Sequence, residues 1–135
     1  MSSADIHKIT ESYLEALRSR GDFARFLADS ATIEFPGSSN VPTITGRESI
    51  EKFIRNFHEE AFDANILVRR VVADDAGSMA ELVFDGVHTG EFAGIPATQA
   101  HASLPYCAAY DFSGDLISAI RVYLSLPDLV AQLEA

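Results

Sequence analysis

The 135 residues carry 20 Asp and Glu against 10 Lys and Arg, a formal charge of -10, and 47% of them are apolar, with 9 Phe and 4 Tyr. That is the composition of a single globular domain spanning 1-135, and it excludes wholesale disorder and collagen-like or coiled-coil architecture. The acidic balance, without a basic cluster, argues against nucleic acid as a partner, and no run approaches the roughly 18 apolar residues that cross a membrane.

The start, MSSADIHKIT, lacks the apolar segment of a secretory signal, and Cys107 stands alone, so a cytoplasmic protein without a disulfide framework is expected. Ile6, Ile9, Tyr13, Ala16 and Leu17 recur at helical spacing and predict an amphipathic helix over residues 5 to 19, interrupted by Gly21. Asp22 is placed to cap a shorter helix that turns Phe23, Phe26 and Leu27 inward. Thr32 to Phe35 reads as a short strand ended by Pro36 and Gly37.

Thr45 and Glu48 have capping-box spacing ahead of Ile50, Phe53, Ile54 and Phe57, a stripe that predicts a helix covering one face of a sheet. Four strands follow, over residues 65 to 73, 78 to 88, about 100 to 112 and 115 to 124. The short connections at Asp74 to Gly77 and at Ser113-Gly114 imply antiparallel hairpins, because a direct turn cannot make a parallel crossover. Ser125, Pro127 and Asp128 open a last helix that carries Leu129, Val130 and Leu133. Helices followed by longer strands make an α+β domain.

The order of a helix, GDFARFLADSATIEFPG, TGRESIEKFI and four strands resembles the nuclear transport factor 2-like superfamily from about residue 5 to residue 133. Within it, DGVHTGEFAGIPAT at residues 85 to 98 and LVAQLEA at residues 129 to 135 are similar to the SnoaL-like polyketide cyclase and ester cyclase group. The resemblance implies a cone, a curved antiparallel sheet wrapped around N-terminal helices with a central pocket. It also implies cofactor-independent acid-base chemistry on an apolar small-molecule substrate of secondary metabolism, an intramolecular aldol or an isomerisation, in a homodimer.

The usual acid/base Asp of these cyclases falls at Ser125, and a serine hydroxyl replaces a carboxylate base only with an activator of its own. A second polar pocket position of the group matches Asp111. The related ketosteroid isomerases match Tyr13 on the early helix, but their base position holds Phe35. The epoxide-opening hydrolases of the superfamily use an Arg-x-Asp arrangement that ELVFD at residues 81 to 85 lacks.

Asp111 is the leading acid/base candidate, since strand alternation puts it with Cys107 and Ala109 on one face, and an apolar cavity would raise its pKa. The plain alternative is that it opens the Ser113-Gly114 turn and faces water. His88 is placed to protonate a substrate oxygen or to orient a carboxylate, with Asp85 as a partner only if the strand bends at Gly86; packing at the cone rim is its structural reading. Tyr13 is positioned to polarise a carbonyl or enol oxygen, or to serve as core. Arg121, Tyr123 and Ser125 share a strand face that suits a polar substrate group or a cross-strand ion pair, and Phe35, Phe53 and Cys107 are assigned to the substrate pocket.

No His, Cys, Asp and Glu spacing fits a metal, since His88 and His101 are far apart and neither lies in a ligand cluster. Two other functions fit the same cavity: a noncatalytic binding or accessory protein, and an epoxide-opening hydrolase.

Overall fold

The computed structural model describes residues 1–38 and 40–134; Ala135, the last residue of the terminal-helix signature, lies outside them. Helix α1 (Ser3–Arg18) starts two residues earlier than its apolar stripe, because Ser2 and Asp5 form a reciprocal capping box. Its inward face buries Ile6, Tyr13, Leu14 and Leu17. A 3-10 turn (Phe23–Phe26) leads into β1 (Leu27–Glu34), which begins earlier than its apolar core and pairs with the two-residue β2 (Ile44–Thr45).

Helix α2 (Arg47–Arg55) is capped by Gly46 at φ 103°, a conformation that glycine adopts without penalty, and Thr45 sits in β2, so the expected Thr45 capping box does not form. The chain then widens into a π-helical segment (Asn56–Ala61) before β3 (Phe62–Ala73). Strands β4 (Gly77–His88), β5 (His101–Ser113) and β6 (Leu116–Tyr123) follow, and α3 (Leu126–Glu134) closes the chain.

The sheet runs β2-β1-β6-β5-β4-β3. The hairpins β3-β4, β4-β5 and β5-β6 are antiparallel as expected, but β1 runs parallel to β6, so the sheet is mixed. Almost the whole domain separates β1 from β6 in sequence, and no turn dictates their relative direction. Asp74 fixes one hairpin by accepting the N–H groups of Ala76 and Gly77 at 2.7 and 2.9 Å. Bulges between Val68 and Arg70 and between Asp111 and Phe112 bend the sheet around α1 and α2.

Glycines in the residue 85 to 98 signature are demanded by packing. A Cβ on Gly86 would lie 2.7 Å from the Ala64 Cβ, and one on Gly90 would lie 2.5 Å from the Glu60 carbonyl oxygen. One apolar cluster fills the cone beneath α1 and α2, around Leu14, Leu27, Ile50 and Ile117. A second, around Phe62, Phe84, Leu129 and Leu133, lies beneath α3. Gln132 on α3 docks on β5 by a two-way bond with Ser103, accepting its N–H at 2.8 Å and donating to its carbonyl at 2.9 Å.

Candidate active site

Alternation along the strands decides what faces the interior of the cone. On β5, Tyr106, Ala108 and Tyr110 point inward; on β6, Ile120 and Val122 do; on β4, Leu82 and Phe84 do. Helix α1 brings Tyr13 and Leu17 against them, α2 brings Phe53 and Ile54, and Ile33 and Phe35 close the side next to β1. Among the described residues no charged side chain lines this cavity, which leaves water-sized molecules about 50 Å³ of room.

The π-helical segment supplies the remaining wall. Arg55 holds it, donating to Glu51 at 2.9 Å and Glu59 at 3.0 Å while bonding the Gly21 carbonyl at 2.8 Å. Phe57 and His58 both face the cavity, Phe57 stacked on Phe84 at 4.8 Å and His58 edge-on to Phe84 at 5.7 Å. Burial, with Arg20 nearby as a second cause, lowers the His58 pKa to about 4, so the ring is neutral at pH 7.

Tyr13 and Tyr110 meet edge to face with ring centroids 5.7 Å apart, and Tyr106 lines the same cavity. Burial pushes the pKa of all three phenols well above the ordinary tyrosine value, and their mutual proximity adds to the effect at Tyr106 and Tyr110. No hydrogen bond from the protein compensates any of the three among the described residues. The result is an apolar chamber whose polar groups are three neutral phenols and one neutral imidazole. Such a set donates to a carbonyl oxygen and accepts a proton from carbon.

A second chamber, of about 240 Å³, adjoins the first and is walled by Val41, Asn56, Phe92 and Leu126. Phe35, Phe53, Phe57 and Leu124 line both chambers. Phe92 reaches over from the tight turn between β4 and β5, where Phe92 and Ile95 exchange backbone bonds of 3.0 and 2.9 Å, and its ring stacks on Phe57 at 5.5 Å.

Of the candidate site residues, Tyr13, Phe35 and Phe53 line the cavity. Asp111 does not: its face of β5 is the outer one, and its carboxylate is forked onto Arg121, with bonds of 2.6 and 3.1 Å. Arg121 holds its carboxyl below the usual carboxylate range, the reverse of the rise expected in an apolar cavity. Cys107 and Tyr123 are register partners on that same outer face, and Tyr123 is 45% exposed. Ser125 is exposed just ahead of α3, its carbonyl accepting the Leu129 N–H.

Asp85 also faces outward, with its carboxylate 2.5 Å from His101 Nε2, so no bend at Gly86 turns it toward His88. His88 faces inward but behind the cavity wall, fully buried with its ring 5.2 Å from that of Phe62. Its Nδ1 accepts the Thr98 N–H at 3.2 Å, which leaves the ring proton on a buried Nε2 without a partner.

His58, Tyr106 and Tyr110 are cavity residues that the sequence reading passes over. His58 had a signal: it stands eight residues after Ile50, the next place on the Ile50, Phe53, Ile54, Phe57 stripe. Tyr106 and Tyr110 alternate with Ala108 on the strand face opposite Asp111, and alternation alone does not say which face is concave. Among the described residues no group of three or more His, Cys, Asp or Glu is placed to hold a metal ion.

The chain is similar across its length to solved structures. One from Xanthomonas campestris, named as a polyketide cyclase, shares 22% identity over 97% of this chain and 98% of its own, with a TM-score of 0.82. Another so named, from Silicibacter, shares 18% over 100% and 99%, with a TM-score of 0.86. An epoxide hydrolase-like protein from M. tuberculosis shares 16% over 98% and 91%, with a TM-score of 0.74. These likenesses establish the nuclear transport factor 2-like fold. No curated protein matches the sequence. The family model of SnoaL-like polyketide cyclases matches residues 8–133, nearly the whole chain, and the chain belongs to that family.

Proposed function

We propose that the protein is a cyclase or isomerase that works by proton transfer, without a cofactor, on an apolar carbonyl compound held in the cone. The observation that carries this reading is the convergence of a neutral imidazole and three phenols in a chamber that no charged side chain among the described residues lines. His58 takes a proton from the carbon next to a carbonyl group. Tyr13, Tyr106 and Tyr110 are the hydrogen-bond donors for the oxygen on which the negative charge collects.

The enolate carbon then attacks a second carbonyl of the same molecule and closes a ring, or it is reprotonated at another carbon and the double bond moves. In either case the imidazolium returns its proton, so the step balances without oxidant or reductant. A base with a pKa near 4 is weak, so the carbon must be acidic, flanked by two carbonyl groups or by a carbonyl and an aromatic ring. Asp111 and Ser125, outside the cavity, have no part in this chemistry, and neither does a hydrolytic reaction that needs paired carboxylates about a water.

The test is mass spectrometry of extracts rich in aromatic polyketides after incubation with the unaltered protein and with His58→Gln. A mass-conserving or water-losing conversion made by the unaltered protein and lost in His58→Gln supports the reading. Retention of a compound by both proteins with no conversion favours the second reading, a binding or accessory protein, motivated by a cavity that no carboxylate lines among the described residues.

A homodimer is part of the proposal. Leu67, Val72, Met79 and Tyr123 are each 45–56% exposed on the outer face of the sheet, and a second copy laid on that face would cover them.

A further inference from the structure

Strand β3 ends the sheet with only β4 beside it, so one of its edges has no neighbouring strand. Register with β4 fixes which backbone groups point to that edge: those of Ala64, Ile66 and Val68 and, beyond the bulge at Arg69, Val71. Side chains close the edge at both ends, since Arg20 donates to the Ala64 carbonyl at 2.9 Å and His7 Nε2 donates to the Val71 carbonyl at 3.1 Å. Between these two plugs the outward N–H and C=O groups of Ile66 and Val68 have no protein partner among the described residues. Both residues line a groove of about 1000 Å³ between β3 and α1.

The charges around this groove are uneven. Of the ten lysines and arginines, five form no ion pair among the described residues, and four of those five, Lys8, Arg25, Arg69 and Arg70, line the groove or stand on β3 itself. Arg70 lies opposite Glu81 in register without pairing with it. The carboxylates of the groove are mostly engaged, Glu11 by His7 at 3.1 Å and Glu15 by Arg18 at 2.6 Å, which leaves Asp22.

We propose that the β3 edge is a docking site for an extended acidic segment of a partner protein, which joins the six-stranded sheet as a further strand through Ile66 and Val68. The backbone groups of these two residues offer two donors and two acceptors, and pairing of this kind supplies affinity while side chains supply choice. Carboxylates along the added strand meet the four unpaired cations, which a basic strand would repel. The net charge of -10 opposes an acidic ligand at long range, but at about 0.15 M salt that field is screened beyond about 8 Å. A second copy of this chain would bring the same four cations to the same edge, so like charge opposes its pairing there.

Amide exchange with water, read by NMR on the isotope-labelled full chain at pH 6.5, tests this with two capped hexapeptides, one alternating glutamate with valine and the other lysine with valine. At saturation the glutamate peptide slows exchange of the Ile66 and Val68 amides at least tenfold, and it binds at least tenfold tighter than the lysine peptide. Val68→Pro removes one outward donor and leaves the ladder to β4 intact, as its melting curve checks, and it weakens the glutamate peptide at least tenfold. Should that variant not fold, the exchange of the two amides in the unaltered protein decides alone. Exchange unchanged by the glutamate peptide at millimolar concentration overturns strand addition, and equal binding of the two peptides overturns the choice of an acidic partner. Amides that are protected in the protein alone and lose protection on dilution would give the edge to a second copy, and the proposal would fall.

Discussion

Asp111 and Arg121 hold each other by two parallel bonds, 2.6 and 3.1 Å long, on the outer face of the sheet. The pair joins neighbouring strands β5 and β6, and with the Asp111 side chain 49% exposed it stabilises the fold by only about 0–1 kcal/mol. The bond with Arg121 lowers the Asp111 pKa, so the contribution is fully present above the ordinary carboxylate value and is lost progressively as pH falls below that value toward the lowered one. Asp111→Asn therefore melts within a few degrees of the unaltered protein at pH 7, and the difference shrinks as pH falls through the lowered pKa of the paired carboxyl. A loss of several kcal/mol at pH 7 would assign the carboxylate a heavier structural duty.

His58 also costs stability toward acid, through burial rather than through an ion pair. Its folded pKa is about 4 against 6.5 in the unfolded chain, so between those values the unfolded chain binds the extra proton and stability falls as pH falls. At 1.36 kcal/mol per unit the group removes on the order of 3 kcal/mol between pH 7.5 and pH 4. Urea unfolding at these two pH values shows a smaller acid-side loss in His58→Gln than in the unaltered protein. Identical slopes would mean that the imidazole is not shielded from water.

Gln132 substitutes for a neighbouring strand. Residues 101–105 of β5 extend past the end of β6, and the Gln132 amide satisfies the free edge at Ser103. Gln132→Ala exposes that edge to water and destabilises the protein by about 1 kcal/mol, read by denaturant titration. Gly86→Ala is costlier, about 1–3 kcal/mol, because its Cβ would meet the Ala64 Cβ at 2.7 Å, with the Ala64 Cα at 2.8 Å and the Asp63 carbonyl oxygen at 3.0 Å.

Met79→Glu puts a charge in the middle of the exposed outer row, beside Val72 in register. Light scattering should give twice 14.7 kDa for the unaltered protein and 14.7 kDa for the variant. A monomer in both cases removes the proposed dimer.

Much of this fold is written in local patterns. The α1 stripe, the hairpin turns at Asp74 and Gly114, and the alternation of β4 and β5 each follow from residues near one another in sequence. The parallel pairing of β1 with β6 does not, because it joins segments more than 80 residues apart, such as Ile33 and Ile120. The candidate site divides in the same way. Tyr13 and Phe53 lie on helical stripes, where the buried side is also the side facing the sheet. Asp111 lies on a strand, whose two faces are separated only by the curvature of the whole sheet, and a family position matched to it carried no information on that curvature. His58 is the next place on the α2 stripe after Phe57, and the π-helical segment keeps both residues facing inward.

The most direct measurement is deuterium wash-in at the benzylic carbon beside the carbonyl of 2-tetralone, a neutral two-ring ketone, in heavy water. It would be followed by mass spectrometry with the unaltered protein, His58→Gln and Asp111→Asn side by side. If the imidazole within the cone moves the proton, His58→Gln slows the protein-dependent exchange by about 100-fold or more and Asp111→Asn stays within twofold. Full exchange by His58→Gln, or its loss in Asp111→Asn, would contradict a reactive site built on the inner face of the sheet.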